Sequence, residues 1–226
     1  MLKVITSGLD DYLRDESNLS GGNASEVALP ASTGEVAQYL RFCSAKGTKL
    51  TVSGARTGIV GGAVPMGGAV ISTERMRKIR EFHYESVSDE WIVNMEPGVS
   101  LAGLQKCIQE KKSLDGEIIA GMQDFQKDYR RFFFPVDATE NSASIGGMAA
   151  TNASGARSFG YGPTRSHVRF LRIALASGEI IDIRRGQYRA DSTSKINLYT
   201  DSGKKITIPA PGYQIPPVKH TAGFFS

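Results

Sequence analysis

Residues 51–68 read TVSGARTGIVGGAVPMGG, a stretch with six glycines and a single long cationic side chain, Arg56. Glycine carries no Cβ, so such a stretch resists a helix and favours left-handed turns and close backbone approach. It follows the apolar-ended Lys49–Val52 and is expected to be the loop after a strand. Backbone N–H groups at Gly54, Ala55, Thr57, Gly58, Gly61 and Gly62 can then converge into a concavity suited to phosphate oxygens. The spacing of these glycines is not that of the dinucleotide fingerprint, and no Lys-Ser/Thr pair follows as in a Walker loop. Taken alone, plain glycine turns between strands account for the stretch as well.

A second stretch, 135–165, reads PVDATENSASIGGMAATNASGARSFGYGPTR and has very little bulk. The run from Ser142 to Ala156 leaves room for a flat, rigid ligand, with Asp137, Thr139, Asn152 and Ser154 offering hydrogen bonds along its edge. A tight helix crossing that needs small residues is the alternative for this run.

The 226 residues are 40% apolar, enough for one large domain or two small lobes. The net charge of +4 arises from 27 basic and 23 acidic residues with no block of like charge. That mild excess suits an anionic ligand but not nucleic acid, and no aromatic residues interleave with basic ones as a stacking platform needs. No stretch approaches the ~18 apolar residues of a membrane span, and the start lacks a leader pattern, so a cytoplasmic chain is expected. Cys43 and Cys107 fall on the apolar sides of expected helices and read as buried free thiols. His83, His167 and His220 have no ligand-spaced neighbours, so no metal site is expected.

Ser32 with Glu35 three residues on reads as a capping box opening a helix from Val36 to about Ala45. Strands are expected at Lys49–Val52, Ala69–Ser72 and Glu90–Met95, with residues 73–79 as a short turn that buries Met76 and Ile79. Ser100 caps a second helix, Leu101–Lys111, whose apolar face is Leu101, Leu104, Cys107 and Ile108. Residues 115–131 carry no assignable pattern. The three aromatics before Pro135 suggest a strand entering a buried turn. Val168–Ala176, Glu179–Arg184, Ile196–Tyr199 and Lys205–Ile208, on short turns, suggest an antiparallel second lobe.

Together the two small-residue stretches resemble the flavin-binding domain of the vanillyl-alcohol-oxidase-like flavoproteins, the PCMH type. Within it they are most similar to the glycolate oxidase flavin subunit and D-lactate dehydrogenase group. The resemblance runs from about Tyr12 to Ser226 in four ordered blocks: SGARTGIVGGAVPMGG, Met95–Gly98, the stretch from Phe133 to Arg165, and PPVKHTAGFFS. It implies an α+β fold, a small α/β lobe (29–98) and a larger lobe with an antiparallel sheet (99–226), after an N-terminal extension (1–28).

The resemblance further implies that Ser53, Gly54, Ala55, Arg56, Thr57 and Gly58 wrap the FAD diphosphate, with Gly61 and Gly62 shaping the exit. It implies that Pro135, Asp137, Thr139, Ser144, Gly146, Gly147, Asn152, Ala153 and Ser154 run along the flavin, with Tyr161 and Gly162 closing over it. The implied reaction is oxidation of a small 2-hydroxy acid, D-lactate or glycolate-like, by hydride transfer to flavin N5, for an electron acceptor that remains open. Residues 53–68 contain no histidine for a covalent link, so dissociable FAD is expected. The family continues into a closing strand and a cap domain carrying substrate-binding and catalytic groups. The chain is therefore expected to be C-terminally incomplete, inactive alone, and completed by a cap region or another chain. Phe224 and His220 stand where relatives more often show Tyr and Asn, and Lys219 faces either the substrate carboxylate or solvent. Two other readings remain: a stand-alone flavin-binding module or subunit, and a superfamily member with another substrate class.

Overall fold

The computed structural model describes residues 1–210 and Gly212, so the PPVKHTAGFFS block with Lys219, His220 and Phe224 lies outside the described residues. The first sheet holds β1 (Lys3–Ile5), β2 (Glu26–Leu29), β3 (Leu50–Ser53) and β4 (Ala69–Ser72), in the order β1-β2-β4-β3. β1 runs antiparallel to β2, whereas β4 is parallel to both β2 and β3. The N-terminal residues thus pair into the same sheet as the glycine-flanking strands. Every residue of the inner strand β4 is buried, as expected for a parallel strand covered on both faces.

α1 (Thr33–Lys46) carries the chain from β2 to β3. Ser32 caps it by accepting the Glu35 amide at 3.2 Å, and the helix starts there, three residues before the expected Val36. Glu35 reaches back one residue beyond the cap, its carboxylate accepting the Ala31 N–H at 2.8 Å. Tyr39 and Cys43 then pack on Ala28, Ala69 and Ile71.

β5 (Ile79–Glu85) and β6 (Glu90–Met95) form an antiparallel hairpin with a bulge between Ile79 and Glu81. The turn expected at 73–79 buries Met76, but Ile79 already opens β5. That strand escapes sequence reading because only Phe82 of its seven residues is fully buried, leaving no apolar alternation. α2 (Leu101–Glu110) buries the expected face of Leu101, Leu104, Cys107 and Ile108. In the patternless stretch, α3 (Met122–Lys127) buries Met122 and Phe125, whose ring stacks on Phe82 at 4.5 Å.

The strand expected at Phe132–Phe134 does not form. Phe132 and Phe134 pack on the cluster around Leu104 and Phe125, and Phe133 faces outward. The Gln105 side chain stands in for a neighbouring strand: its Nε2 donates to the Phe134 carbonyl at 2.6 Å and its Oε1 accepts the Phe134 amide at 3.2 Å. Three short helices follow, α4 (Ile145–Thr151), α5 (Ser158–Tyr161) and α6 (Thr164–His167).

β7 (Phe170–Ala174) pairs with β8 (Ile180–Arg184), and β9 (Lys195–Tyr199) with β10 (Lys205–Pro209), all antiparallel. Among the described residues these are two separate hairpins, which corrects the single antiparallel sheet expected for this region. β10 alternates exposed Lys205, Thr207 and Pro209 with half-buried Ile206 and Ile208, the pattern of an antiparallel strand with one packed face. Arg41 of α1 ties the first hairpin's turn to the opening sheet, donating to the Gly178 carbonyl at 2.9 Å.

Candidate functional site

The glycine segment leaves the carboxyl end of β3 and returns to the start of β4, the end of a parallel sheet where ligands gather. Ser53 closes β3 fully buried, and its Oγ has no hydrogen-bond partner among the described residues. The next residue, Gly54, is pressed onto Ser144. Ser144 Oγ accepts both the Ala55 amide and the Gly147 amide, each at 3.3 Å, so one hydroxyl caps α4 and holds the glycine loop.

A third segment completes this junction. Gly146 N–H donates to the Pro97 carbonyl at 2.8 Å, and a Cβ on Gly146 would lie 2.6 Å from Pro97 Cβ. Gly98 in turn sits where a Cβ would lie 2.2 Å from the Thr73 carbonyl oxygen. The Pro97-Gly98 turn therefore needs glycine at Gly98 and Gly146 to let three backbone segments meet. Ser53–Ala55, Pro97-Gly98 and Ser144–Gly147 are brought together as one surface.

Within the loop the glycines divide into two kinds. Gly61 adopts φ 75°, and a Cβ there would be 2.9 Å from Leu19 Cδ2. Among the described residues, chain neighbours aside, Gly58 and Gly62 would meet no atom within 4 Å of such a Cβ, and neither has a left-handed φ. Neither the Thr57 nor the Gly58 amide donates to another described residue. Two free donors beside open space are what an anionic ligand requires of a backbone nest.

Arg56, itself at φ 61°, folds back on the start of the loop, its Nη1 donating to the Gly54 carbonyl at 3.4 Å. Its guanidinium lies 4.8 Å from the Tyr12 ring centre and 3.9 Å from Glu74 Oε2. Tyr12 donates its phenol to the same carboxylate oxygen at 2.9 Å. Burial, and then this hydrogen bond, push the Tyr12 phenol up to about 12.

Downstream, Pro135 is half-buried, Thr139 is exposed, and Asp137 lies 3.6 Å from the Arg157 guanidinium. Gly155 backs directly onto the Asp137 carbonyl, and Ala138 bridges to Gly155. Asn152 is buried at φ 50° as the C-cap of α4, its Oδ1 accepting the Arg165 amide at 2.9 Å. The Ala153 carbonyl accepts both the Thr164 amide and the Thr164 hydroxyl, and Ser154 is half-buried beside it. The Tyr161 ring meets Phe133 edge-on at 5.5 Å, and Gly162 turns at φ 83° against Ser166. These residues form a hydrogen-bonded turn system around α4 to α6, in which Asn152 already serves the protein's own backbone.

Sequence reasoning missed Asp15, Leu19 and Glu74 as neighbours of the loop. Asp15 Oδ2 accepts the Ala63 amide at 3.4 Å from 48 residues away, a separation no local pattern marks. Among the described residues no group of three or more metal-ligating side chains assembles, and no helix is long and apolar enough to cross a membrane.

FAD fits this arrangement. The orphan Ser53 hydroxyl, the two unengaged amides and the Cβ-free space at Gly58 and Gly62 match a phosphate-bearing group, and the small residues of α4 leave a low surface beside it.

Comparison with known proteins agrees. A family model described as an FAD binding domain matches residues 24–122 and 115–184. D-lactate dehydrogenase of Anaerostipes hadrus is 36% identical over 176 residues, 77% of this chain and 32% of that protein. D-2-hydroxyglutarate dehydrogenase of Xanthomonas citri pv. viticola is 32% identical over 184 residues, 80% of this chain and 34% of its own length. The chain thus spans about a third of the length of these curated relatives. Among solved structures, 6-hydroxy-D-nicotine oxidase of Arthrobacter nicotinovorans superposes with a TM-score of 0.62 at 19% identity, over 82% of this chain and 36% of that one. That likeness shows the fold.

Proposed function

The chain belongs to the FAD-binding-domain family, and from that premise we propose that it forms the cofactor-holding part of an oxidoreductase acting on small 2-hydroxy acids. The observation that carries this reading is the convergence on Ser144 of the glycine loop and the α4 segment, with the Thr57 and Gly58 amides left to donate. Thr57 and Gly58 would hold the diphosphate, Ser53 would hydrogen-bond it from beneath, and Gly54 would keep the loop against α4. Gly61 and Gly62 shape the loop's return. Ser144, Gly146 and Gly147 line the surface beside the flavin, and Pro135, Asp137, Thr139, Asn152, Ala153 and Ser154 hold the turn that continues it toward Tyr161 and Gly162.

Bound FAD supplies a two-electron acceptor for oxidation at the substrate's α-carbon. The chain's own residues bind and orient it, and residues 53–68 hold no histidine, which supports dissociable binding. The named relatives act on D-lactate and D-2-hydroxyglutarate, and this supports a 2-hydroxy acid as the substrate class. Substrate-positioning and acid-base groups are assigned to polypeptide beyond these residues, in the same protein or a partner.

The test is an absorbance spectrum after incubation with FAD and removal of free ligand. A flavin band that denaturation releases is expected, with no bleaching by D-lactate or glycolate under anaerobic conditions. A colourless folded chain overturns the cofactor assignment; bleaching overturns the placement of the substrate groups elsewhere.

A further inference from the structure

Residues 10–25 follow the outside of the glycine loop from one end to the other. At the loop's start, Tyr12 lies under the Arg56 guanidinium and shares Glu74 with it. At its return, Asp15 Oδ2 accepts the Ala63 amide at 3.4 Å, and Leu19 Cδ2 occupies the side of Gly61 where a Cβ would be 2.9 Å away. Farther on, Asn23 N–H donates to the Pro65 carbonyl at 2.8 Å, and the Gly67 amide returns a bond to the Asn23 carbonyl at 2.9 Å. Ser25 donates to the Gly68 carbonyl through both its amide, at 2.7 Å, and its hydroxyl, at 2.9 Å.

Among the described residues Asp15 is the one carboxylate in this row that accepts a loop amide, that of Ala63. Ser17 donates to its Oδ1 through its hydroxyl and, at 3.0 Å, through its amide, which fixes the carboxylate's orientation. Although burial opposes ionisation, the Ser17 hydroxyl and the Ser17, Ala63 and Gly61 backbone groups hold the Asp15 carboxyl below its ordinary value. A carboxylate beside a loop that must receive an anion repels that anion, so electrostatics alone argue against it. Its hydrogen bonds argue the other way. A glycine-rich arm otherwise samples many backbone conformations, and tying the arm to Asp15 at Ala63 reduces the entropy lost when the loop closes on a ligand.

We propose that Asp15 is a positioning residue for the FAD-binding loop: by holding the Gly61–Ala63 arm it presets the nest at Thr57 and Gly58, and its ordering effect outweighs its charge repulsion. This rests on the reading of the loop as the diphosphate site. Tyr12 and Leu19 are the flanking anchors of the same clasp.

Two measurements on the full chain test it. Amide hydrogen exchange without FAD is expected to quicken in peptides covering residues 57–64 of Asp15→Ala, with the peptides of β2 to β4 unchanged. FAD titration is expected to show about tenfold weaker binding for Asp15→Ala, and recovery to within about threefold for Asp15→Asn, which keeps an acceptor oxygen without the charge. Equal or tighter FAD binding by Asp15→Ala overturns the proposal, as does unchanged exchange in the loop. Should Asp15→Ala not fold, Leu19→Ala replaces it with the same expectations for exchange and FAD binding, and an unmoved loop again overturns the clasp. If the unaltered chain holds no FAD, the cofactor reading fails, while the exchange experiment still decides whether Asp15 orders the arm.

Discussion

A Cβ on Gly54 would lie 2.4 Å from Ser144 Oγ, so the first glycine of the loop after β3 and the N-cap of α4 occupy adjoining space across 90 residues of chain. The same hydroxyl bonds both Ala55 and Gly147, which makes Ser144 the shared support of the two small-residue stretches.

Gly54→Ala therefore forces Ser144 to rotate and to give up its cap. A stability loss of about 1–2 kcal/mol is expected, the usual cost of losing an N-cap serine. Ser144→Ala alone should cost about 1 kcal/mol. In the double variant the added methyl meets the residue-144 Cβ and the Gly147 Cα, 3.7 and 3.9 Å away in the present structure and both ordinary contacts, so the two losses should not add. A urea-denaturation cycle checks this; strict additivity would mean that Gly54 and Ser144 are not in contact.

Gly58→Val probes the loop from the other side. Among the described residues nothing beyond the chain neighbours lies within 4 Å of a Cβ there, so the variant should fold with unchanged thermal stability. If the Gly58 backbone approaches phosphate, FAD binding should weaken by roughly 100-fold, about 2.7 kcal/mol. Fluorescence titration reads the affinity, and a folded variant that binds FAD like the parent removes Gly58 from the site.

The two thiols should be silent in the native chain. Burial, and then the Asp115 charge, push Cys107 up to about 11, and burial raises Cys43 as well. Thiol reagents at pH 8 should label neither at an appreciable rate, because the thiolate is the reacting form, and should label both in urea. Rapid native labelling of either cysteine would contradict its placement in the core.

Tyr12 predicts an alkaline limit. Its folded value of about 12 lies above the unfolded 10.0, so the folded state holds the phenolic proton more tightly. The associated stability is fully present below about pH 10 and is lost as pH rises toward 12. Tyr12→Phe should flatten the fall in denaturation midpoint across that window. Tyr39, raised by burial and then by its bond to Glu26, adds to the same loss, so the fall should lessen in Tyr12→Phe without vanishing. Ionisation of Tyr12 near pH 10 in an ultraviolet titration would show that its contact with Glu74 does not form.

Much of the backbone is legible in the amino-acid sequence. α1 follows from Ser32 and Glu35, and α2 from Ser100 and the spacing of Leu101, Leu104, Cys107 and Ile108. β3, β4, β6 and the later hairpins follow from short apolar runs and their turns. The misses share a cause. β5 buries one residue, α3 is six residues long, and Phe132–Phe134 pack as side chains while Gln105 satisfies Phe134's backbone, so none of these leaves a periodic signal.

The sequence by itself determined that the chain has a glycine-rich loop after a strand and a low-bulk stretch downstream, because glycine content and short-range periodicity are properties of neighbouring residues. Which glycines serve the protein and which face open space was decided only by tertiary structure. Gly54 and Gly61 look alike in the sequence to Gly58 and Gly62, yet the first pair is claimed by Ser144 and Leu19, while a Cβ on either of the second pair would meet no described residue beyond its chain neighbours within 4 Å. Asp15's hold on Ala63 was likewise unreadable. Such contacts arise when packed elements bring distant segments within hydrogen-bond range, and no local rule encodes the partner.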